Sequence, residues 1–403
     1  HIGVVVRLTG LVPMTCSIIK FRPALFAAGL LVSIYAGSAL AAPSSDEVVK
    51  GYAQLVHANY TDTVNAAKTM QDSINAFLNT PTASRLDTAK KAWLNARELY
   101  GQTEAFRFYG GPIDDENGPE GQINAWPMDE SYVDYVEGKS NAGFVNNRKF
   151  KITRTALVEQ NERGGEENIA TGWHAIEFLL WGQDLNENGP GQRPYTDYVQ
   201  GKGKNADRRA AYLREVTNLL VNDLETVQKA WIPGQPNNFR AEFEQGGMES
   251  IRKMLVGLGS LSRGELAGER LEVALFSQDQ EDEHSCFSDN THRDAVTNAQ
   301  GILNVWTGTY PQANGETLKV PSLAEFVAAK APEVAQRTTA QIQNSVKAAT
   351  AIQAPFDREI IGGADAPGPK RIKATVASLI EQSTLLVESA NAIGITQLTL
   401  TLP

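Results

Sequence analysis

The stretch from Gly172 to Asp184 reads Gly-Trp-His-Ala-Ile-Glu-Phe-Leu-Leu-Trp-Gly-Gln-Asp. Nearly every position between the glycines is apolar or aromatic, so a helix formed here is predicted to be buried on most sides. His174 and Glu177 are three residues apart, and this spacing puts both side chains on one helix face, within reach of one ion. A buried histidine and a buried carboxylate need polar partners. The pair is therefore either part of a binding site or a structural hydrogen bond in the core.

Helical periodicity extends through most of the chain, and no run alternates apolar and polar residues with a period of two. The sequence therefore predicts an all-α fold. Residues 111–147 are instead rich in Gly, Pro, Asp and Asn, which predicts a long irregular connection that is either functional or disordered. Apolar residues recur every three or four positions in residues 45–78, 85–108, 168–181, 206–231, 239–258, 266–276, 292–306, 322–354 and 370–393.

The length of 403 residues suits two domains. Proline and glycine in residues 232–236 predict a boundary there, with a first helical bundle over residues 42–232 and a second over 233–403. Two loop sequences also repeat within the first half, at 116–122 and 187–192 and again at 134–139 and 197–202. Aligning these loops places Glu104 over His174 and Arg107 over Glu177, which makes Glu104 and Arg107 further site candidates.

Residues 1–41 have the features of a cleavable secretory leader. Basic residues precede an apolar run at 24–35, and Ala39-Leu40-Ala41 ends it with small residues at the positions that a signal peptidase reads. The run is shorter than the roughly 20 residues of a membrane-spanning helix. We expect residues 1–13, before Met14, to carry no function. Cys16 precedes the cleavage site and Ala42 follows it, so no lipid anchor is predicted.

The formal net charge is −10, and no basic stripe interleaved with aromatic residues occurs. A nucleic-acid partner is therefore not expected. With the leader removed, no transmembrane helix is predicted in the remaining chain.

Several segments resemble the imelysin family, which includes the bacterial iron-regulated protein A group. Residues 172–177 match its Gly-x-His-x-x-Glu signature, and residues 111–114, 118–129 and 280–292 also resemble family sequences. The resemblance implies an all-helical protein of two similar four-helix bundles, in the periplasm or peripheral to the outer membrane. It also implies a role in iron uptake, with a functional site where the bundles meet. Family members were first classed as metallopeptidases.

Imidazole nitrogen and carboxylate oxygen are both ligands of iron, so His174 and Glu177 are the expected central residues of a site for iron or a small iron chelate. Arg107 would pair with the glutamate or bind an anionic chelate. An uptake partner in the periplasm or outer membrane is a further expectation. The other candidates are a second acidic and histidine group, Asp282, Glu283 and His284; Glu104, through the loop repeat; and a site wall of Trp126, Asp129 and Trp181.

Two alternatives remain open. A zinc metallopeptidase would need a second histidine, but Phe178 follows Glu177, so His284 or His292 would have to complete the ligands. The other alternative is a non-catalytic scaffold or partner-binding protein in which the motif is structural. We do not expect an enzyme.

Asp184-x-Asn186-x-Asn188-Gly189 copies the first half of a calcium-binding loop. The twelfth position is Tyr195, where such a loop needs a glutamate, so a turn at the end of a helix is favoured here.

Overall fold

The computed structural model describes residues 41–402, and these are mainly helical. The all-α prediction is confirmed. The predicted leader lies outside the described residues except for Ala41, so its cleavage stays a prediction. The helices are α1 Ser45–Asn79, α2 Ala83–Thr103, α3 Glu120–Ile123, α4 Glu130–Val133, α5 Gly143–Asn146, α6 Arg154–Gln160, α7 Gly172–Trp181, α8 Ala206–Ala230, α9 Phe239–Glu244, α10 Met248–Ser260, α11 Val273–Ser277, α12 Thr291–Thr307, α13 Leu323–Ala328, α14 Pro332–Ala351, α15 Asp357–Ile360 and α16 Pro367–Ala392.

The longest helix of the first half, α1, begins with a capping box in which Ser44 and Glu47 satisfy each other's backbone N–H groups. Its buried face packs along α2 and α8, and α7 packs between α2 and α8. Apolar residues at helical spacing, including Tyr52, Val56 and Tyr60, fill the space between these helices. The first-half helices thus cover much of α7, every residue of which is buried.

The second half is built from α10 and the π-helical segment Leu261–Glu272 that continues it, together with α12, α14 and α16. α12 contacts α14 on one side and α2 on the other. Residues 42–402 accordingly form one compact unit. The division at residues 232 and 233 remains a prediction.

Four local features differ from the predicted helices. Residues 239–258 are two helices because Gly247, with φ of +52°, breaks them. Residues 322–354 are divided before Pro332, which lacks the N–H needed to continue a helix. Residues 266–276 lie mostly in the π-helical segment. An antiparallel pair of strands, β1 Thr309–Pro311 and β2 Thr317–Lys319, was not predicted because both strands are only three residues long.

The irregular connection over residues 111–147 is ordered and carries α3, α4 and α5. Asp134 holds it in place: its carboxylate accepts a hydrogen bond from Arg209 Nε on α8 at 2.6 Å and from Arg193 Nη1 at 3.1 Å. This connection therefore packs against the first-half helices. Across the described part of the chain, no helix combines the length and apolarity that crossing a membrane requires.

Candidate functional site

α7 carries the candidate site and begins at Gly172, whose backbone φ is +87°. A side chain is strained in this conformation, and a Cβ atom here would also lie 2.4 Å from the Ile123 carbonyl oxygen. The Thr171 hydroxyl donates to the Gln122 carbonyl oxygen at 3.0 Å. Glycine is therefore required for α7 to start directly against the backbone of α3.

His174 and Glu177 are hydrogen-bonded to each other. Nδ1 of His174 lies 2.8 Å from Oε2 of Glu177. The other oxygen, Oε1, accepts hydrogen bonds from the backbone N–H and the hydroxyl of Ser288, at 2.9 and 2.6 Å. Within residues 41–402, Nε2 of the buried His174 ring has no hydrogen-bond partner. Of the two residues in the motif, His174 thus keeps a free ligand atom, while Glu177 orients it.

His284 has the same arrangement on the other side of the site. Its Nδ1 lies 2.7 Å from Oδ2 of Asp294 on α12, and its Nε2 has no partner among the described residues. The His174 and His284 rings meet edge to face, with centroids 4.9 Å apart. Histidines that bind metals usually have one ring nitrogen held by a carboxylate and the other directed at the ion. Both rings therefore have the hydrogen-bonding arrangement that is typical of metal-binding histidines.

The surroundings keep both imidazoles neutral. Burial, followed by the positive charge of Arg97, lowers the pKa of His174 to about 3. Burial, followed by the charge of Arg270, lowers the pKa of His284 to about 3. Burial also raises the pKa of Glu177 to about 8. Neutral imidazole is the form that binds metal ions, so no proton has to leave an imidazolium before binding at physiological pH.

Glu104 lies in a buried network that leads to the histidines. Its Oε2 accepts hydrogen bonds from Arg107 Nη1 at 2.8 Å and from Arg270 Nη2 at 2.9 Å. Burial by itself would raise the pKa of Glu104, but Arg270 and Arg107 lower it to about 2. Asn124 donates to Glu104 Oε1 at 2.9 Å and accepts from Arg97 Nη1 at 2.7 Å. Arg97 in turn pairs with the carboxylate that holds His284.

The model of the imelysin family matches residues 56–386. This chain belongs to the imelysin family.

The iron-regulated protein A of Synechococcus elongatus is 24% identical to this imelysin over 326 residues, which cover 78% of each protein. Two solved structures have a similar fold. One is a proposed iron-regulated protein A precursor from Parabacteroides distasonis, with a TM-score of 0.68, 16% identity, and coverage of 88% of this chain and 97% of that one. The other is an imelysin-like protein from Psychrobacter arcticus, with a TM-score of 0.63, 13% identity, and coverage of 88% and 98%.

The other predicted site residues of this imelysin are spread more widely. Trp126 lies beside the pair, with its ring 5.4 Å from His284. Trp181 is buried against Trp93, at a centroid distance of 5.3 Å. Asp129 is exposed and caps α4. These positions give one wall residue, Trp126, beside the histidines.

The acidic residues next to His284 do not accompany it. Asp282 is half-buried in the short 3₁₀ helix Gln280–Asp282. Glu283 is fully buried, but its carboxylate contacts Asp357 and is repelled by Asp289 and Asp184. Arg107 pairs with Glu104 and, at 3.2 Å, with Glu120. Its guanidinium thus meets other glutamates in place of Glu177.

Several residues that organise the site were not predicted: Arg97, Asn124, Arg270, Ser288 and Asp294. One of them has a visible signal in the sequence. Arg97 lies on α2 at helical spacing between Trp93 and Tyr100, both of which are buried. A charged residue within an apolar stripe must find a buried partner, so Arg97 could have been identified as part of a polar network. The contact of Ser288 with Glu177 depends on tertiary packing and has no comparable signal.

Proposed function

We propose that this protein serves bacterial iron uptake by binding iron, as an ion or a small chelate, between His174 and His284. The observation that carries the proposal is the paired geometry of the two rings: each Nδ1 is held by a carboxylate, and each Nε2 has no partner among the described residues. The iron-regulated relative supports iron as the metal. An exported, periplasmic location and an uptake partner there or at the outer membrane belong to the same proposal.

The protein supplies two imidazoles, fewer ligands than iron has coordination positions. A chelate would bring its own oxygen ligands and leave positions open for the histidines. This shortage of protein ligands favours a carboxylate-bearing ferric chelate over a bare ferrous ion.

Hydrolysis is the alternative for the same residues, with zinc in place of iron. A metallopeptidase would use Glu177 as the general base on a metal-bound water. In this structure one Glu177 oxygen is hydrogen-bonded to His174 Nδ1 and the other accepts from Ser288. A free carboxylate oxygen would require rearrangement, so binding is the better supported function.

The test is titration of the purified, metal-free protein with Fe(II) and with ferric citrate, followed by calorimetry and by bound-metal analysis. We expect His174→Ala and His284→Ala each to weaken binding at least tenfold. His57→Ala is the matched control, because His57 is a half-buried histidine on α1. Unchanged far-UV circular dichroism shows that the variants remain folded. Wild-type protein that binds neither probe, or variants that bind as tightly as wild type, would overturn the proposal.

Casein cleavage tests the alternative in the same preparations. Zinc-dependent cleavage that is lost in Glu177→Gln would assign a peptidase instead. No cleavage together with iron binding supports the uptake role.

A further inference from the structure

A second cluster of possible metal ligands lies apart from the two histidines. Among residues 41–402, Asp184, Asp289 and Asp357 each offer a carboxylate oxygen, and these oxygens lie within 4.8 Å of one another. Asp184 follows α7, Asp289 precedes α12, and Asp357 begins α15. All three are buried, with 2%, 6% and 7% of their surface exposed. The chain thus brings three separate segments together through acidic side chains.

Glu283 is the independent sign that this cluster binds a ligand. It is 0% exposed, and within the described residues neither of its carboxylate oxygens has a hydrogen-bond donor. Its carboxylate contacts that of Asp357 and is repelled by the charges of Asp289 and Asp184. A buried carboxylate without a donor is costly unless a cation or a proton neutralises it. Glu283 was predicted to accompany His284, but its carboxylate belongs to this cluster.

The protein itself provides little compensation. Both oxygens of Asp289, one of Asp184 and one of Asp357 also lack a donor among residues 41–402. The remaining Asp184 oxygen, Oδ1, accepts from the Asn186 backbone N–H at 2.9 Å. Four carboxylates in such a place require a cation, or else they keep protons.

We propose that Asp184, Asp289, Asp357 and Glu283 bind one divalent cation of the calcium class. The available ligand atoms are carboxylate oxygens, which hard cations prefer. Calcium is favoured over magnesium because Ca²⁺ accepts several protein carboxylates at about 2.3–2.6 Å, whereas Mg²⁺ usually keeps most of its water. The three aspartate oxygens lie within 4.8 Å of one another and can all contact one such ion, and Glu283 joins them through its contact with Asp357.

The segment that resembles a calcium-binding loop begins at Asp184, but it does not use the ligand positions of such a loop. Asn188 does not turn back toward Asp184; its side chain contacts Arg358. Only the first aspartate of the loop pattern is used, and distant residues supply the other ligands. A surface cavity of about 810 Å³, lined by Asp184, Gln280 and Asp357 among others, gives an ion access to the cluster.

The ion would also hold the segment that completes the histidine site. Residues 283–289 carry Glu283 and Asp289 in the cluster, and between them His284 and Ser288, which contact His174 and Glu177. Binding of the cation therefore stabilises the position of His284 relative to His174. Its role is structural and separate from the binding of iron.

The experiment is calorimetric titration of the chelator-treated protein with CaCl₂, with MgCl₂ and MnCl₂ in parallel. We expect one Ca²⁺ per chain and a rise in the thermal unfolding midpoint on addition of 1 mM CaCl₂. Asp289→Asn and Glu283→Gln should each weaken binding at least tenfold. Asp282→Asn, a half-buried neighbour outside the cluster, is the matched control and should bind as wild type does.

Further outcomes distinguish a calcium site from the iron site and from carboxyl groups that share protons. If His174→Ala still binds calcium, the calcium site is independent of the proposed iron site, whatever the result of the iron titration. If the carboxyl groups merely share protons, CaCl₂ has no effect and Asp289→Asn is as stable as wild type or more stable. That result, or tight calcium binding by Asp289→Asn and Glu283→Gln, would overturn the proposal.

Discussion

Replacing Asp294 by asparagine removes the charge on which the second half of the histidine site depends. The Asp294 carboxylate accepts hydrogen bonds from Arg97 Nη2 at 3.0 Å and from the Ser285 hydroxyl, and it holds His284 Nδ1 at 2.7 Å. Burial would raise the pKa of Asp294, but the charge of Arg97 and the contact with His284 hold it far below its usual range. The carboxylate is therefore ionised at neutral pH and compensates the guanidinium.

The magnitude follows from burial of both partners. Arg97 is 1% exposed and Asp294 2% exposed, so neither charge can turn to water. Removing one partner of a buried ion pair costs about 3–5 kcal/mol of unfolding free energy. Asparagine keeps the shape and one acceptor oxygen for Arg97, and we therefore expect a loss of about 3 kcal/mol.

The assay is urea unfolding followed by far-UV circular dichroism and by tryptophan fluorescence, whose transitions should coincide. A double-mutant cycle with Arg97→Met should give a coupling of about 2 kcal/mol, since the second substitution no longer leaves a charge unpaired. The control is Glu225→Gln, which breaks the partly exposed pair with Lys68 and should cost less than about 1 kcal/mol. A cost below about 1 kcal/mol for Asp294→Asn, or strictly additive effects, would refute the reasoning.

Two further predictions concern α7 and α8. Gly172→Ala should lower the free energy of unfolding by about 1–3 kcal/mol, because φ is +87° and the new Cβ would lie 2.4 Å from a carbonyl oxygen. The control is Gly165→Ala, which has more room and should change the thermal unfolding midpoint little. Burial raises the pKa of Asp223 to about 6, above the roughly 3.9 of an unfolded chain, so the folded state loses stability as pH rises from about 4 to 6. After allowance for partial exposure, Asp223→Asn should therefore be more stable than wild type by about 1 kcal/mol at pH 8. Below pH 4 it should be no more stable than wild type. If the variant and wild type were equally stable at both pH values, the prediction would be contradicted.

Much of the helical architecture could be predicted from periodicity. The predicted ends of α1, α8, α12 and α16 agree with the observed ends to within a few residues, because each helix has an apolar stripe and a clear start or stop. The breaks at Gly247 and Pro332 were missed, although both residue types interrupt helices. The short β hairpin gave no signal, because alternation cannot be recognised over three residues.

The candidate site was predictable only in part. Glycine, histidine and glutamate on one turn mark α7, and His284 was named as a second contributor. The sequence left open whether Glu177 binds a ligand or hydrogen-bonds to His174, and it gave no sign that Asp294 orients His284. Nor could it show that the side chain of Glu283 lies in the cluster with Asp184 and away from His284, because adjacent residues in an irregular segment can point in opposite directions.

The sequence by itself determined the helices, the buried character of α7 and the family, since these depend on local spacing and on motifs along the chain. Tertiary structure alone decided which buried polar groups meet: Arg97 with Asp294, Ser288 with Glu177, and Asp289 with Asp357. The physical reason is that a buried polar group must be satisfied by whatever packing brings to it. Local sequence shows that such a need exists, and only the packing of distant segments shows which residue meets it.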